Sequence, residues 1–136
     1  MSRPWISDAL GATVRERAGG RCEYCQAPEI GTFFAHEPDH VIATQHRGQT
    51  TLENLALACL QCNRAKGPNI ASVDPQTNRI VPLFNPRTDK WSEHFRVQGA
   101  QLIALTAVGR ATAALLNDRD RAEARQNLWR AGRYPS

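Results

Sequence analysis

A chain of 136 residues suits one compact domain, and without a run of eighteen apolar residues a membrane-spanning helix is not expected. Seventeen basic residues against thirteen acidic ones give a formal charge of +4. Fifteen of the basic residues are arginine, whose planar fork of donors matches phosphate, so a polyanionic partner fits as well as a merely solvated basic surface does. The N-terminal stretch Met1–Asp8 lacks the basic-then-apolar order of a secretion signal. A cytoplasmic location is therefore expected, where four cysteines more often stay reduced and bind metal than pair as two disulfides.

In chain order, residues 5–18 predict a short helix with Ser7 as N-cap and Gly19-Gly20 as its stop. Cys22-Glu-Tyr-Cys25 comes next as a tight knuckle. Phe33 to Ile42 has the β-branched and aromatic character of a strand, which Pro38 either breaks or assigns to a sheet edge. Residues 43–53 read as a polar loop and Leu55–Ala58 as the returning strand. A second knuckle, Cys59-Leu-Gln-Cys62, opens a short helix through Lys66, closed by Gly67-Pro68. Ile70–Val73 and Arg79–Pro82 predict one hairpin, and Phe95–Val97 with Leu102–Leu105 another. Two helices close the chain, at about 107–117 and about 119–131, the second capped by Asp118. The proline-rich piece at 82–88 reads as a loop inside a single domain, 1–136, with a core at about 21–68 and an extension at about 69–136. Trp91, Leu115, Leu128 and Trp129 are expected in the core; stacking on bases is the sharper alternative for the two tryptophans.

The two Cys-x-x-Cys pairs carry the strongest chemistry. Each places two thiolates on one turn, and Cys22, Cys25, Cys59 and Cys62 together complete a tetrahedral site with no open position, which points to a structural Zn²⁺. Iron is the main alternative ion. A redox pair of the thioredoxin type needs one such motif at a helix start in a βαβ setting, and two pairs argue against it.

Between the knuckles lie His36-Glu-Pro-Asp39-His40-Val-Ile, His46-Arg47-Gly48 and Leu52-Glu-Asn54-Leu, and Asn63 directly succeeds Cys62. The ordered set Cys22-x-x-Cys25, Asp39-His40-Val-Ile, Gly48…Leu52-x-Asn54-Leu and Cys59-x-x-Cys62-Asn63-x-x-Lys66-Gly67 resembles the HNH endonuclease family in its four-cysteine form. The segment Leu83–Phe95 resembles the stretch immediately C-terminal to this core in small bacterial HNH proteins. The resemblance implies an α+β fold built on a ββα-metal (His-Me finger) core, with hairpins and C-terminal helices added. It also implies metal-dependent cutting of DNA, with RNA as a possible substrate. His40 would be the general base, and Asp39 and Asn63 would hold one catalytic Mg²⁺ or Mn²⁺. Asn54 would brace the inter-strand loop.

Neighbouring strand residues face opposite sides, so Asp39 and His40 can serve one phosphate only where the strand ends or bulges, for which Pro38 is a candidate cause. Arg47 stands where the family more usually has glycine. Arg47, Arg64 and Lys66 are the expected phosphate contacts, and Arg87, Lys90, Arg96, Arg110, Arg119, Arg121, Arg125, Arg130 and Arg133 could extend them. Glu37 is read as an exposed strand residue rather than an extra carboxylate ligand, and His94 as a strand residue rather than a second active-site group. The competing reading is a non-catalytic, zinc-stabilised nucleic-acid-binding module; protein partners are not legible.

Overall fold

The computed structural model describes residues 5–29, 35–116 and 130. Ser7 caps the first helix as expected: its hydroxyl accepts from Leu10 N at 3.1 Å, α1 spans Asp8–Ala18, and Gly19 ends it in the left-handed region at φ 65°. After the first knuckle, β1 (Glu37–His40) pairs antiparallel with β2 (Leu55–Ala58). Single turns of 3-10 helix at Thr44–His46 and Leu52–Asn54 shape the connection between them. The second knuckle leads into α2 (Leu60–Lys66), whose N-cap is Cys59. Then come β3 (Ala71–Val73) and β4 (Ile80–Pro82), a short α3 (Trp91–His94), β5 (Phe95–Gln98), β6 (Gln101–Ala104) and α4 (Ala107–Leu115). The result is a mixed helix-and-strand fold with three two-stranded antiparallel sheets.

Of the strand expected over Phe33–Ile42, only Glu37–His40 are extended in β1; Ala35, His36, Val41 and Ile42 fall outside it, and Phe33 and Phe34 lie outside the described residues. So do the helix expected at 119–131, apart from Arg130, and its residues Leu128 and Trp129. α3 stands where a loop running into a strand is expected, so His94 is helical rather than extended.

The strand runs through Pro38 without breaking, and the ladder shows why. Pro38 faces Leu57, but the Leu57 peptide turns its polar groups the other way: Leu57 N–H donates to Glu23 Oε2 at 2.8 Å, and Leu57 C=O accepts from Glu23 N at 2.8 Å. Pro38 thus occupies a non-hydrogen-bonded pair, where its missing N–H costs nothing. The same Glu23 contacts lay the first knuckle against the outer edge of β2, shielding it from further strand pairing.

The β1–β2 hairpin separates two cores. Leu55 and Leu57 point to α1 and bury with Val14, a gain of about 1.5–3 kcal/mol for each leucine. Ala56 and Ala58 point to the cysteines, Tyr24, Phe84 and Phe95. Leu116, the C-cap of α4, joins this second core, and Leu115, the residue expected there, is only half-buried. Trp91 packs on Phe95 with centroids 5.2 Å apart and donates its indole N–H to Tyr24 C=O at 2.9 Å. It is a core residue with a satisfied polar tip.

Candidate functional site

The Sγ atoms of Cys22, Cys25, Cys59 and Cys62 lie within 4.8 Å of one another, and all four residues are buried. Cys25 and Cys59 sulfurs are 3.9 Å apart, close to the ~3.8 Å edge of a sulfur tetrahedron drawn around zinc at 2.3 Å. No pair is joined as a disulfide. Within each knuckle the first sulfur accepts a backbone N–H from the second cysteine, Cys25 N at 3.5 Å and Cys62 N at 3.4 Å, so the turn itself is shaped around a thiolate. Burial pushes the Cys22 thiol well above its ordinary pKa. Four buried sulfurs this close together suit a shared cation, and the donor set fits Zn²⁺.

Asp39 and His40 stand at the end of β1, and Asn54 stands just before β2. No bulge interrupts residues 37–40, so Asp39 shares the Ala56 face toward the cysteines while His40 shares the Leu55 face. His40 is the last strand residue and 7% exposed, and its Nε2 is 2.9 Å from Thr50 Oγ1. Thr50 has no signature in the sequence, since a loop threonine acquires a partner only once the loop is folded.

Asn54 fixes the residues after His40. Its Oδ1 accepts Ile42 N–H at 2.9 Å, and its Nδ2 donates to Ile42 C=O and Gln49 C=O, both at 2.9 Å. Its backbone C=O accepts Val41 N–H at 2.8 Å. Gly48 belongs to the same knot: a Cβ there would stand 1.7 Å from Ile42 O and 2.8 Å from Asn54 Nδ2. Arg47, just before it, holds φ 70° as the cap of a 3-10 turn, the left-handed conformation that a glycine adopts without strain.

Asp39 is half-buried and electrically close to two buried groups. Its charge favours the protonated form of Lys66, against the burial that lowers the lysine's pKa. It also adds to the burial that pushes the Tyr24 phenol well above its usual value. The Tyr24 hydroxyl is buried with no hydrogen-bond partner among the described residues. Asn63 is half-buried and is the fourth residue of α2.

Residues 22–69 match the HNH endonuclease family. The matched segment holds both knuckles, the β1–β2 hairpin, its braced connection and α2. No curated protein and no solved structure matches the chain.

Around the matched segment the expected phosphate contacts divide. Arg47 and Arg64 are exposed, as are Lys90, Arg96 and Arg130. Lys66 is not: it is 2% exposed, and its Nζ donates to Val41 C=O at 2.9 Å and reaches His40 C=O at 3.4 Å. Its placement replaces the expected surface contact with an internal one, because a four-carbon stem on the last turn of α2 points back under β1. Arg87 pairs with Glu23, and Arg110 forms a bidentate pair with buried Asp74 at 2.9 and 2.8 Å, so both are committed inside the fold. Arg119, Arg121, Arg125 and Arg133 lie outside the described residues. His94 is structural, with Nδ1 2.6 Å from Thr106 Oγ1 and its ring edge-on to Phe84. Glu37 is exposed, and His36 is buried with Nε2 2.9 Å from Ala27 C=O. His46 is exposed in the 3-10 turn. No helix among the described residues is long and apolar enough to cross a membrane.

Proposed function

We propose that the chain is an HNH endonuclease that hydrolyses phosphodiester bonds of DNA on a ββα-metal core formed by β1, β2 and α2. In this reading His40 is the general base, Asp39 and Asn63 hold a single Mg²⁺ or Mn²⁺, and Zn²⁺ on the four cysteines is structural. The observation that carries it is the bracing around His40. A binding surface needs no hydrogen-bonded lock on the two residues after a histidine, whereas a base must be held within tenths of an ångström of its water.

The partner of His40 also suits a base. A hydroxyl both donates and accepts, so Thr50 can serve the ring nitrogen before and after the histidine takes a proton. Asp39 and Asn63 offer a carboxylate and an amide oxygen, hard donors appropriate to Mg²⁺ or Mn²⁺. The unpartnered Tyr24 hydroxyl beside the Asp39 charge leaves a buried polar atom for an ion's water shell to satisfy. When bound, the ion supplies charge stabilisation at the leaving oxygen. Exposed Arg47 and Arg64 would contact backbone phosphates on either side.

The test is a nicking assay on supercoiled plasmid and on labelled RNA, with Mg²⁺ or Mn²⁺ and with EDTA. Metal-dependent nicking of DNA that EDTA stops is expected. Binding of nucleic acid without cleavage under every metal condition would favour a zinc-stabilised binding module instead.

A further inference from the structure

Lys66 is among the largest fully buried side chains of the protein, and a lysine so placed requires partners for three donors. Its ammonium reaches the carbonyls of Val41 and His40, 25 and 26 residues away in sequence. On the opposite side of the same backbone, Asn54 C=O takes Val41 N–H and the Asn54 amide takes both polar groups of Ile42. The Val41 peptide groups are thus held from two elements, its N–H by the 3-10 turn that leads into β2 and its C=O by the end of α2. The helix that holds Lys66 also carries Cys62 and Asn63.

We propose that Lys66 is a positioning residue of the nuclease site: it locks the backbone that carries His40 to the zinc-anchored helix, completing from below the brace that Asn54 provides from the loop. This rests on the nuclease reading above. The electrostatic proximity of Asp39 is consistent with the placement, since a buried ammonium is best tolerated beside a carboxylate. Lys66 acts through His40 and touches no phosphate.

Lys66→Met keeps the stem and removes the donor. In the zinc-loaded full chain, kcat for plasmid nicking is expected to fall on the order of ten- to a hundredfold, as for a small misplacement of a base. KM for DNA and the salt dependence should stay as in wild type, with zinc content unchanged. In hydrogen exchange without substrate, the Val41 and Ile42 amides should exchange about tenfold faster, while the Cys25 and Cys62 amides keep their protection. If Lys66→Met does not fold with zinc, Lys66→Gln, which keeps a donor on a shorter stem, is expected to show the same pattern at smaller amplitude.

A raised KM with unchanged kcat and a salt slope reduced by about one would mean a phosphate contact and overturn the proposal. So would unchanged exchange at Val41 and Ile42. If wild type cuts no substrate, the nuclease reading fails while the exchange measurement still decides whether Lys66 is the lock.

Discussion

The cysteine cluster and the loop after β1 are met by the two ends of α2, through Cys59 and Cys62 at its start and Lys66 at its last residue, and are built by opposite means. The cluster is four buried sulfurs within 4.8 Å of one another, placed to hold a metal ion. Around His40, Asn54 accepts Ile42 N–H and donates to the Ile42 and Gln49 carbonyls, Lys66 donates to Val41 C=O, Thr50 meets the His40 ring, and Gly48 packs against Ile42 O. The first arrangement is suited to supply stability through one ion. The second supplies position, one hydrogen bond at a time. Cys62 and Lys66 both lie on α2, so one helix ties the cluster to the braced loop.

Breaking the cluster has the largest expected effect. Cys59→Ser keeps a side chain able to cap α2, so what it loses is the metal ligand. Structural zinc is worth about 10–16 kcal/mol in small domains, comparable to a whole domain's stability. The variant should bind less zinc and show no cooperative melt in calorimetry; a folded, zinc-free Cys59→Ser protein would contradict the structural role.

Gly48→Ala breaks the other side. Its Cβ would collide with Ile42 O, at a cost of about 1–3 kcal/mol. The expected outcome is a folded protein with full zinc content, a lower melting temperature and lost nicking. Equal loss of zinc and activity would show that the two regions are one unit.

A third test lies outside both regions. Asp74, on the hairpin of β3 and β4, is held far below the usual carboxylate range by Arg110 on α4. A carboxyl with a depressed folded pKa contributes stability that is present above its unfolded value of about 3.9 and lost as pH falls below it. Asp74→Asn should melt lower at neutral pH, and its melting temperature should decline less than that of wild type below about pH 4. Parallel curves for the two proteins would contradict the pairing.

The smallest expected effect is at Arg47. Glycine relieves its left-handed backbone but gains entropy when unfolded, so Arg47→Gly should stabilise by only about 0.5 kcal/mol. Urea melts would resolve it, and a destabilised variant would mean that the arginine side chain does more than cap a turn.

Legibility in the sequence divides along the same line. The knuckles are readable from spacing, because two thiolates on one turn need no distant information. Leu55–Ala58 is readable as the returning strand, and its burial on both faces explains the continuous apolar run. Asn54, His40 and Asp39 are visible only through the family pattern. Lys66 looks like a surface contact in the sequence because its partners, Val41 and His40, lie across the hairpin. Thr50 and Tyr24 carry no signal for the same reason: their roles exist only once segments far apart in the chain meet. α3 escapes prediction because four residues carry too little periodicity to declare a helix.

The central claim, that His40 is the base on a zinc-clasped scaffold, is tested most directly by comparing wild type and His40→Ala in plasmid nicking with Mg²⁺ or Mn²⁺. Zinc content and melting temperature are measured on the same samples. Nicking should fall on the order of 10²-fold or more, with one zinc per chain and a cooperative melt retained. Nicking at the wild-type rate by folded, zinc-loaded His40→Ala would contradict the claim.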